Sequence, residues 1–110
     1  MNKELKVPLK ILFVEDDKID LSAFTRMVSK KNLPYEYAIA KSVSDSVTLL
    51  QQRQFDIVLI DYMLGDGTAL DVLKFIPPDT PSIIVTGVGS EEIAVEALRA
   101  GANDYLIKDD

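Results

Sequence analysis

The sequence predicts an α/β fold with a doubly wound, five-stranded parallel sheet, because short apolar runs alternate with segments of helical spacing along all 110 residues. The predicted strands start at residues 11, 35, 57, 82 and 105, so successive starts lie 24, 22, 25 and 23 residues apart. Each interval accommodates one strand, one helix and two short loops. The near-regular interval therefore indicates repeated strand–helix units with right-handed crossovers in a single domain.

The strands are identified by apolar runs that are continuous rather than alternating, as is typical of strands covered on both faces. Four runs have this character, at residues 11–14, 57–60, 83–85 and 105–107. The segment Tyr35–Ala40 is less uniformly apolar because it contains Glu36. It is therefore predicted to be an edge strand.

The intervals between the strands carry apolar residues on one helical face. The repeating residues are Leu21, Phe24 and Val28 in the first helix, Val43, Val47 and Leu50 in the second, Ala69, Val72, Leu73 and Ile76 in the third, and Ile93, Ala97 and Ala100 in the fourth. Local signals mark the helix ends: N-caps at Asp17 or Asp20 and at Ser90, acids in a first turn at Glu91 and Glu92, a stop at Pro77 and Pro78, and a left-handed turn at Gly101.

Composition excludes several classes of function. The net charge of −6 argues against nucleic-acid binding by this chain, because phosphate contacts need a basic face. The chain has neither cysteine nor histidine, which excludes disulfides, thiolate metal sites, histidine catalysis and a role as phosphohistidine donor. No apolar run approaches the roughly 20 residues that span a bilayer, and no signal-peptide pattern follows the N-terminus. We therefore expect no membrane association and a cytoplasmic location.

Polar side chains follow four of the predicted strands. Glu15 and Asp16 follow the first strand, Asp61 the third, Thr86 the fourth and Lys108 the fifth. Because the carboxyl ends of parallel strands share one edge of the sheet, and ligands bind there, these side chains are expected to converge.

Such a group of side chains suits phosphoryl transfer. Crowded carboxylates repel unless a cation neutralises them, and oxygen ligands without histidine or cysteine favour Mg²⁺. An aspartate can form an acyl phosphate, so Asp61 is the candidate nucleophile, with Lys108 offsetting charge on the phosphoryl oxygens. Each residue alone has an ordinary structural explanation, and for Asp17 helix capping is the preferred one. The combination at one sheet edge is what favours function.

With these residues in this order, the sequence resembles the receiver domain of two-component response regulators and hybrid sensor kinases. The resemblance covers essentially the whole chain, as one domain over residues 1–110. Four segments carry it: Ile-Leu-Phe-Val-Glu-Asp at 11–16, Asp-Ile-Val-Leu-Ile-Asp at 56–61, Ile-Ile-Val-Thr-Gly at 83–87 and Gly-Ala-Asn-Asp-Tyr-Leu-Ile-Lys at 101–108. The resemblance implies a flavodoxin-like sheet of order 2-1-3-4-5.

The resemblance also implies residue roles. These are phosphorylation at Asp61, Mg²⁺ ligation by Glu15, Asp16, Asp61 and the main-chain carbonyl of Met63, switching by Thr86 and Tyr105, and phosphoryl contact by Lys108. A histidine kinase or histidine phosphotransfer protein would supply the phosphoryl group, and an output domain or downstream protein would respond. The domain would be regulatory rather than an enzyme in its own right.

Some positions depart from the family pattern. Asp109 stands where many members have proline, and the loop after Asp61 lacks the frequent proline. We expect the last helix of the family to be missing, through truncation or because the chain is a fragment, leaving apolar sheet surface exposed and favouring self-association. Met63 and Val88 would flank the path of the hydrolytic water, and since neither orients water well, we expect slow dephosphorylation.

Two other interpretations remain. A pseudo-receiver would dock a partner without being phosphorylated, although the complete set of Glu15, Asp16, Asp61, Thr86 and Lys108 argues against it. A nucleotide-binding protein is suggested by Gly87-Val88-Gly89 after a strand, but Glu92 stands where the third glycine of a dinucleotide-binding loop is needed.

Overall fold

The computed structural model describes residues 8–87 and 91–108. A central sheet contains five strands: β1 (Leu9–Val14), β2 (Tyr35–Ala40), β3 (Ile57–Ile60), β6 (Ser82–Thr86) and β7 (Asp104–Ile107). A small hairpin is formed by β4 (Met63–Leu64) and β5 (Gly67–Thr68). The helices are α1 (Lys18–Lys30), α2 (Val43–Gln52), α3 (Ala69–Leu73) and α4 (Glu91–Arg99). Among the described residues, no helix is both long and apolar enough to cross a membrane.

The order of strands in the central sheet is β2-β1-β3-β6-β7, and every pair is parallel. With the hairpin set aside, this is the predicted flavodoxin-like order, and β2 is an edge strand as predicted. The chain moves from β1 outward to β2 and then returns past β1 to β3. The reversal of direction between β1 and β3 creates a crevice at their carboxyl ends, where ligands bind in folds of this type.

One face of the sheet forms the main core. Alternate residues of three neighbouring strands are fully buried there, namely Leu12, Val14, Val58, Ile60 and Ile84. They pack with buried residues of α3 and α4, including Val72 and Ala97. Burying an aliphatic side chain of this size contributes about 1.5–3 kcal/mol, so this face supplies most of the rigidity that holds the strand ends in place.

The opposite face is only partly covered. Phe13 of β1 packs against Phe24 of α1 with ring centroids 4.6 Å apart. Farther along the same face, Leu106 of β7 is 48% exposed. Leu106 is thus an exposed apolar side chain on this face of the sheet.

Helix starts follow the predicted signals where the structure describes them. The carboxylate of Asp17 accepts hydrogen bonds from the N–H groups of Ile19 and Asp20, so Asp17 rather than Asp20 caps α1. Both Glu91 and Glu92 lie in the first turn of α4, as predicted. The predicted cap Ser90 lies outside the described residues.

Of two helix ends predicted from the sequence, the structure confirms the one after α4 and contradicts the one after α3. Gly101 has a φ of 114°, which confirms the predicted left-handed turn after α4. The third helix was predicted to continue to Pro77, but α3 ends at Leu73. The N–H groups of Phe75 and Ile76 instead bond to carbonyls three residues earlier, which tightens the chain out of α geometry. Helical backbone is also disfavoured at Ile76, because this residue directly precedes Pro77.

The segment after Asp61 contains a feature that the sequence does not predict. The hairpin β4–β5 is closed by a turn that contains Asp66. The Asp66 carboxylate accepts hydrogen bonds from the N–H groups of Val43 and Ser44, at 2.7 and 3.0 Å. Asp66 thus satisfies two free N–H groups at the start of α2, while Ser42 caps the third. These bonds tie the loop after β3 to a neighbouring helix.

Replacing Asp66 with asparagine is expected to lower the midpoint of thermal unfolding at neutral pH. The hydrogen bonds from Val43 and Ser44 hold the pKa of Asp66 below its usual value of 3.8. A depressed carboxyl pKa stabilises the folded state above the unfolded pKa, and this stabilisation is lost as the pH falls through the folded pKa. The difference between wild type and variant should therefore be full above pH ~4 and shrink below it.

Thermal melts from neutral pH down to acid pH measure this difference. Asp79→Asn is the control, because Asp79 is exposed in a loop before β6. A difference for Asp66→Asn that stayed constant at acid pH, or a drop as large for Asp79→Asn, would contradict the capping role.

Candidate functional site

Main-chain hydrogen bonds extend the sheet past the ends of β1 and β3 and so fix the first residues beyond them. The N–H of Glu15 donates to the carbonyl of Ala40, and the N–H of Asp61 donates to the carbonyl of Val14, each at 2.9 Å. The side chain of Glu15 is fully buried, whereas that of Asp61 remains 14% exposed. Asp61 is therefore held rigidly but stays accessible from solvent.

Three carboxylates meet at this point, as the sequence predicts. Oxygen atoms of Glu15, Asp16 and Asp61 all lie within 4.8 Å of one another. Glu15 is buried, Asp61 is half-buried and Asp16 is exposed. Carboxylate oxygens are the ligands preferred by hard divalent cations such as Mg²⁺, so the donor set fits such an ion.

Lys108 lies against this carboxylate group. Its Nζ lies 2.6 Å from Oδ2 of Asp20, 2.9 Å from Oε1 of Glu15 and 3.7 Å from Oδ1 of Asp61. Burial alone would lower the pKa of Lys108, but the hydrogen bonds to Asp20 and Glu15 outweigh it and raise the pKa above the usual value. Lys108 is therefore a fixed positive charge at the site.

The pKa of Glu15 is shifted in opposite directions by its surroundings. Burial raises its pKa, the hydrogen bond from Lys108 opposes this, and the nearby charge of Asp61 raises it further. The net shift is upward, because burial and the charge of Asp61 outweigh the hydrogen bonds from Lys108 and from the N–H of Asp17. A cation bound near the carboxylates would favour their ionised form.

Thr86 and Tyr105 lie on the core face of the sheet, the same face as the buried Ile84. Thr86 is the last residue of β6 and is buried, and its carbonyl accepts a hydrogen bond of 2.8 Å from the N–H of Lys108. In the strand register Tyr105 is paired with Ile84, two residues before Thr86. Burial raises the pKa of Tyr105, and the proximity of Tyr62 and Asp61 adds to the increase. The carboxylate charge of Asp61 thus acts on the hydroxyl of Tyr105.

Met63 lies two residues after Asp61, at the start of the hairpin, and the residue is 54% exposed. Val88 and Asp109, which the sequence also singled out, lie outside the described residues.

The contact between Asp20 and Lys108 is not predicted by the sequence. These residues are 88 positions apart, and Asp20 was considered only as a helix cap. Helical spacing gives a partial signal, since once Asp17 caps α1, Asp20 is in the first turn with its carboxylate free to point elsewhere. No local pattern indicates that Lys108 is the group it meets.

The chain is a doubly wound α/β domain with an acidic group, a lysine and a hydroxyl at the carboxyl edge of its sheet. The family model described as the response regulator receiver domain matches residues 11–110. The chain therefore belongs to the response regulator receiver domain family.

Curated relatives are similar over most of this chain. The alginate biosynthesis transcriptional regulatory protein AlgB of Pseudomonas putida is 36% identical over 102 residues, which cover 90% of this chain and 22% of that protein. The acid tolerance regulatory protein ActR of Sinorhizobium medicae is 37% identical over 101 residues, which cover 89% of this chain and 51% of that protein. The chain thus spans about a fifth to about half of these relatives.

Solved structures share the fold. A CheY-like receiver domain from Methanospirillum hungatei JF-1 has a TM-score of 0.81 and 29% identity, covering 93% of this chain and 82% of that one. The Mn²⁺-bound form of response regulator Rcp1 has a TM-score of 0.81 and 27% identity, with coverage of 93% and 82%.

Proposed function

We propose that this domain is a phosphoacceptor switch and that Asp61 accepts the phosphoryl group. The observation that carries the proposal is the position of the Asp61 carboxylate: partly accessible, next to two other acids and 3.7 Å from Lys108. A carboxylate in such surroundings can attack phosphorus, because the adjacent positive charge offsets charge on the phosphoryl oxygens.

The Mg²⁺ ligands in this proposal are the carboxylates of Glu15, Asp16 and Asp61 and the main-chain carbonyl of Met63. The ion would supply positive charge to the phosphoryl oxygens. Support comes from the fit of the oxygen donors and from the Mn²⁺-bound form of Rcp1, a relative with the same fold.

The chemical step transfers one phosphoryl group. An oxygen of Asp61 forms a bond to phosphorus while the bond to the donor breaks, and the leaving group keeps its electron pair. Lys108 contacts the transferred group and Glu15 holds the lysine in reach. The fixed main chain of Asp61 limits the loss of entropy on reaching the reactive geometry.

Switching would follow from the new charge and acceptor oxygens at Asp61. The hydroxyl of Thr86 turns to bond the phosphoryl group, and Tyr105 moves into the space that Thr86 leaves. Both residues lie on the core face of the sheet next to α4, so the surface formed by α4 and β7 would change its affinity for partners.

The partners in this proposal are a histidine kinase or histidine phosphotransfer protein as donor and an output domain or downstream protein as receiver of the signal. The donor must be another chain or domain, because these 110 residues contain no histidine. AlgB, of which this chain matches 22%, is a transcriptional regulatory protein. This supports an output domain or downstream protein as the receiver of the signal.

Two further proposals concern lifetime and assembly. A thioether is a poor hydrogen-bond acceptor, so the exposed Met63 would not orient a hydrolytic water. We therefore propose that the acyl phosphate on Asp61 hydrolyses slowly and that Met63 and Val88 set this rate.

The exposed apolar side chain of Leu106 would favour self-association of the chain.

The alternative is a pseudo-receiver, and a phosphorylation assay separates the two. Wild-type protein incubated with acetyl phosphate and Mg²⁺ should gain the mass of one phosphoryl group, and chelation of Mg²⁺ should prevent the gain. Intact-mass spectrometry reads both. A protein that stays unmodified with saturating donor and Mg²⁺, while remaining folded by circular dichroism, would favour the pseudo-receiver.

A further inference from the structure

Lys108 makes its shortest ionic contact to a residue outside the proposed phosphoacceptor chemistry. Its Nζ lies 2.6 Å from Oδ2 of Asp20, whereas Oδ1 of Asp61 lies 3.7 Å away, beyond hydrogen-bonding distance. Asp20 is in the first turn of α1, whereas Glu15 and Asp61 directly follow strands of the sheet. The ammonium group is thus drawn toward the helix.

The geometry leaves Asp20 available for this contact. Asp17 caps the helix, and its carboxylate accepts from the N–H of Asp20 itself. The only side-chain hydrogen bond described for the Asp20 carboxylate, within residues 8–87 and 91–108, is the one from Lys108. The Asp20 side chain is 37% exposed and that of Lys108 is 24% exposed, so the pair is partly desolvated rather than fully solvated.

We propose that Asp20 is a positioning residue that restrains Lys108 in the unphosphorylated state and competes with the phosphoryl group for it. The inference rests on the proposed phosphorylation of Asp61. When the phosphoryl group arrives, the ammonium group must shift its contacts from Asp20 toward the new oxygens. The Asp20–Lys108 pair therefore sets part of the free-energy difference between the unphosphorylated and phosphorylated states.

The two possible roles of Asp20, holding Lys108 ready or competing for it, predict opposite changes in the affinity for a phosphoryl mimic. If Asp20 held Lys108 ready for the phosphoryl group, removing its charge would weaken binding of a phosphoryl mimic. If Asp20 competes for Lys108, removing its charge strengthens that binding. The 3.7 Å separation between Lys108 and Asp61, against 2.6 Å to Asp20, favours competition. Partly exposed ion pairs of this kind alter equilibria by about two- to fivefold.

The test measures the affinity of beryllofluoride at saturating Mg²⁺. Asp20→Asn should bind it about two- to fivefold more tightly than wild type. Asp20→Glu, which keeps the carboxylate, should stay near the wild-type affinity. Asp45→Asn is the matched control, because Asp45 is the third residue of α2 as Asp20 is the third residue of α1, and it is exposed. It should leave the affinity unchanged.

A Lys108→Gln background tests whether the effect passes through the lysine. The glutamine amide keeps a hydrogen-bond donor toward the buried Glu15, and in this background Asp20→Asn should have no effect. Equal tightening in that background would mean that Asp20 repels the anion directly and would overturn the proposal. Unchanged or weaker binding by Asp20→Asn, or tightening by Asp45→Asn, would also overturn it. Failure of wild type to bind beryllofluoride would instead refute the proposed phosphorylation of Asp61.

Discussion

Replacing Asp61 with asparagine is expected to abolish phosphorylation by acetyl phosphate. An amide oxygen is a poor nucleophile, and the variant also removes one of the three carboxylates of the site. The substitution preserves size and a hydrogen-bond acceptor for the N–H of Tyr62, so the fold should remain. Intact-mass spectrometry should show no phosphoryl adduct under conditions that fully modify wild type.

Asp56→Asn is the control for this prediction. Asp56 flanks the other end of β3, where its carboxylate accepts a hydrogen bond from the N–H of Lys10. Asparagine can accept the same bond, and this end of the strand is remote from Lys108. Asp56→Asn should be phosphorylated like wild type. An adduct on Asp61→Asn at the wild-type level would show that the phosphoryl group is taken elsewhere.

Replacing Asp16 with alanine is expected to weaken Mg²⁺ binding by at least about 100-fold. Changes behind the direct ligands of a metal commonly cost about 10- to 100-fold in affinity, so loss of a direct ligand should cost no less. Asp16 is the exposed member of the carboxylate group, so its removal should affect the fold little. Titration calorimetry or a spectroscopic titration with Mg²⁺ measures the affinity.

Asp79→Ala provides the comparison for Asp16→Ala. It removes one negative charge from an exposed position before β6, at the opposite edge of the sheet. It should change the affinity for Mg²⁺ by less than about twofold, since exposed charges at such a distance are screened. A similar loss of affinity in both variants would indicate a diffuse effect of net charge instead of ligation by Asp16.

Much of the fold follows from the sequence because its signals are local. The continuous apolar run of β3 and the less apolar run of β2 predicted a buried and an edge strand, and both predictions are confirmed. Helix α3 is shorter than its apolar spacing predicts, because i to i−3 bonds and the following proline compete with α-helical geometry. The hairpin was not predicted, since its two strands have only two residues each.

The candidate site is predictable only as far as strand ends define it. Placing Glu15, Asp61 and Lys108 at one edge requires only that the strands be parallel. The contacts of Asp20 with Lys108 and of Asp66 with α2 depend on how helices and loops pack on that sheet. The two partners are 88 residues apart in the first case and 23 in the second, so no local pattern contains them.

In the proposed function, Asp61 itself carries the phosphoryl group. Wild-type protein phosphorylated with acetyl phosphate and Mg²⁺ can be treated with borodeuteride, which reduces an aspartyl phosphate to deuterated homoserine. Peptide mass spectrometry then locates the modified residue. We predict homoserine at position 61 and at no other aspartate. Homoserine at Asp16 or Asp56 with Asp61 unmodified would contradict the assignment.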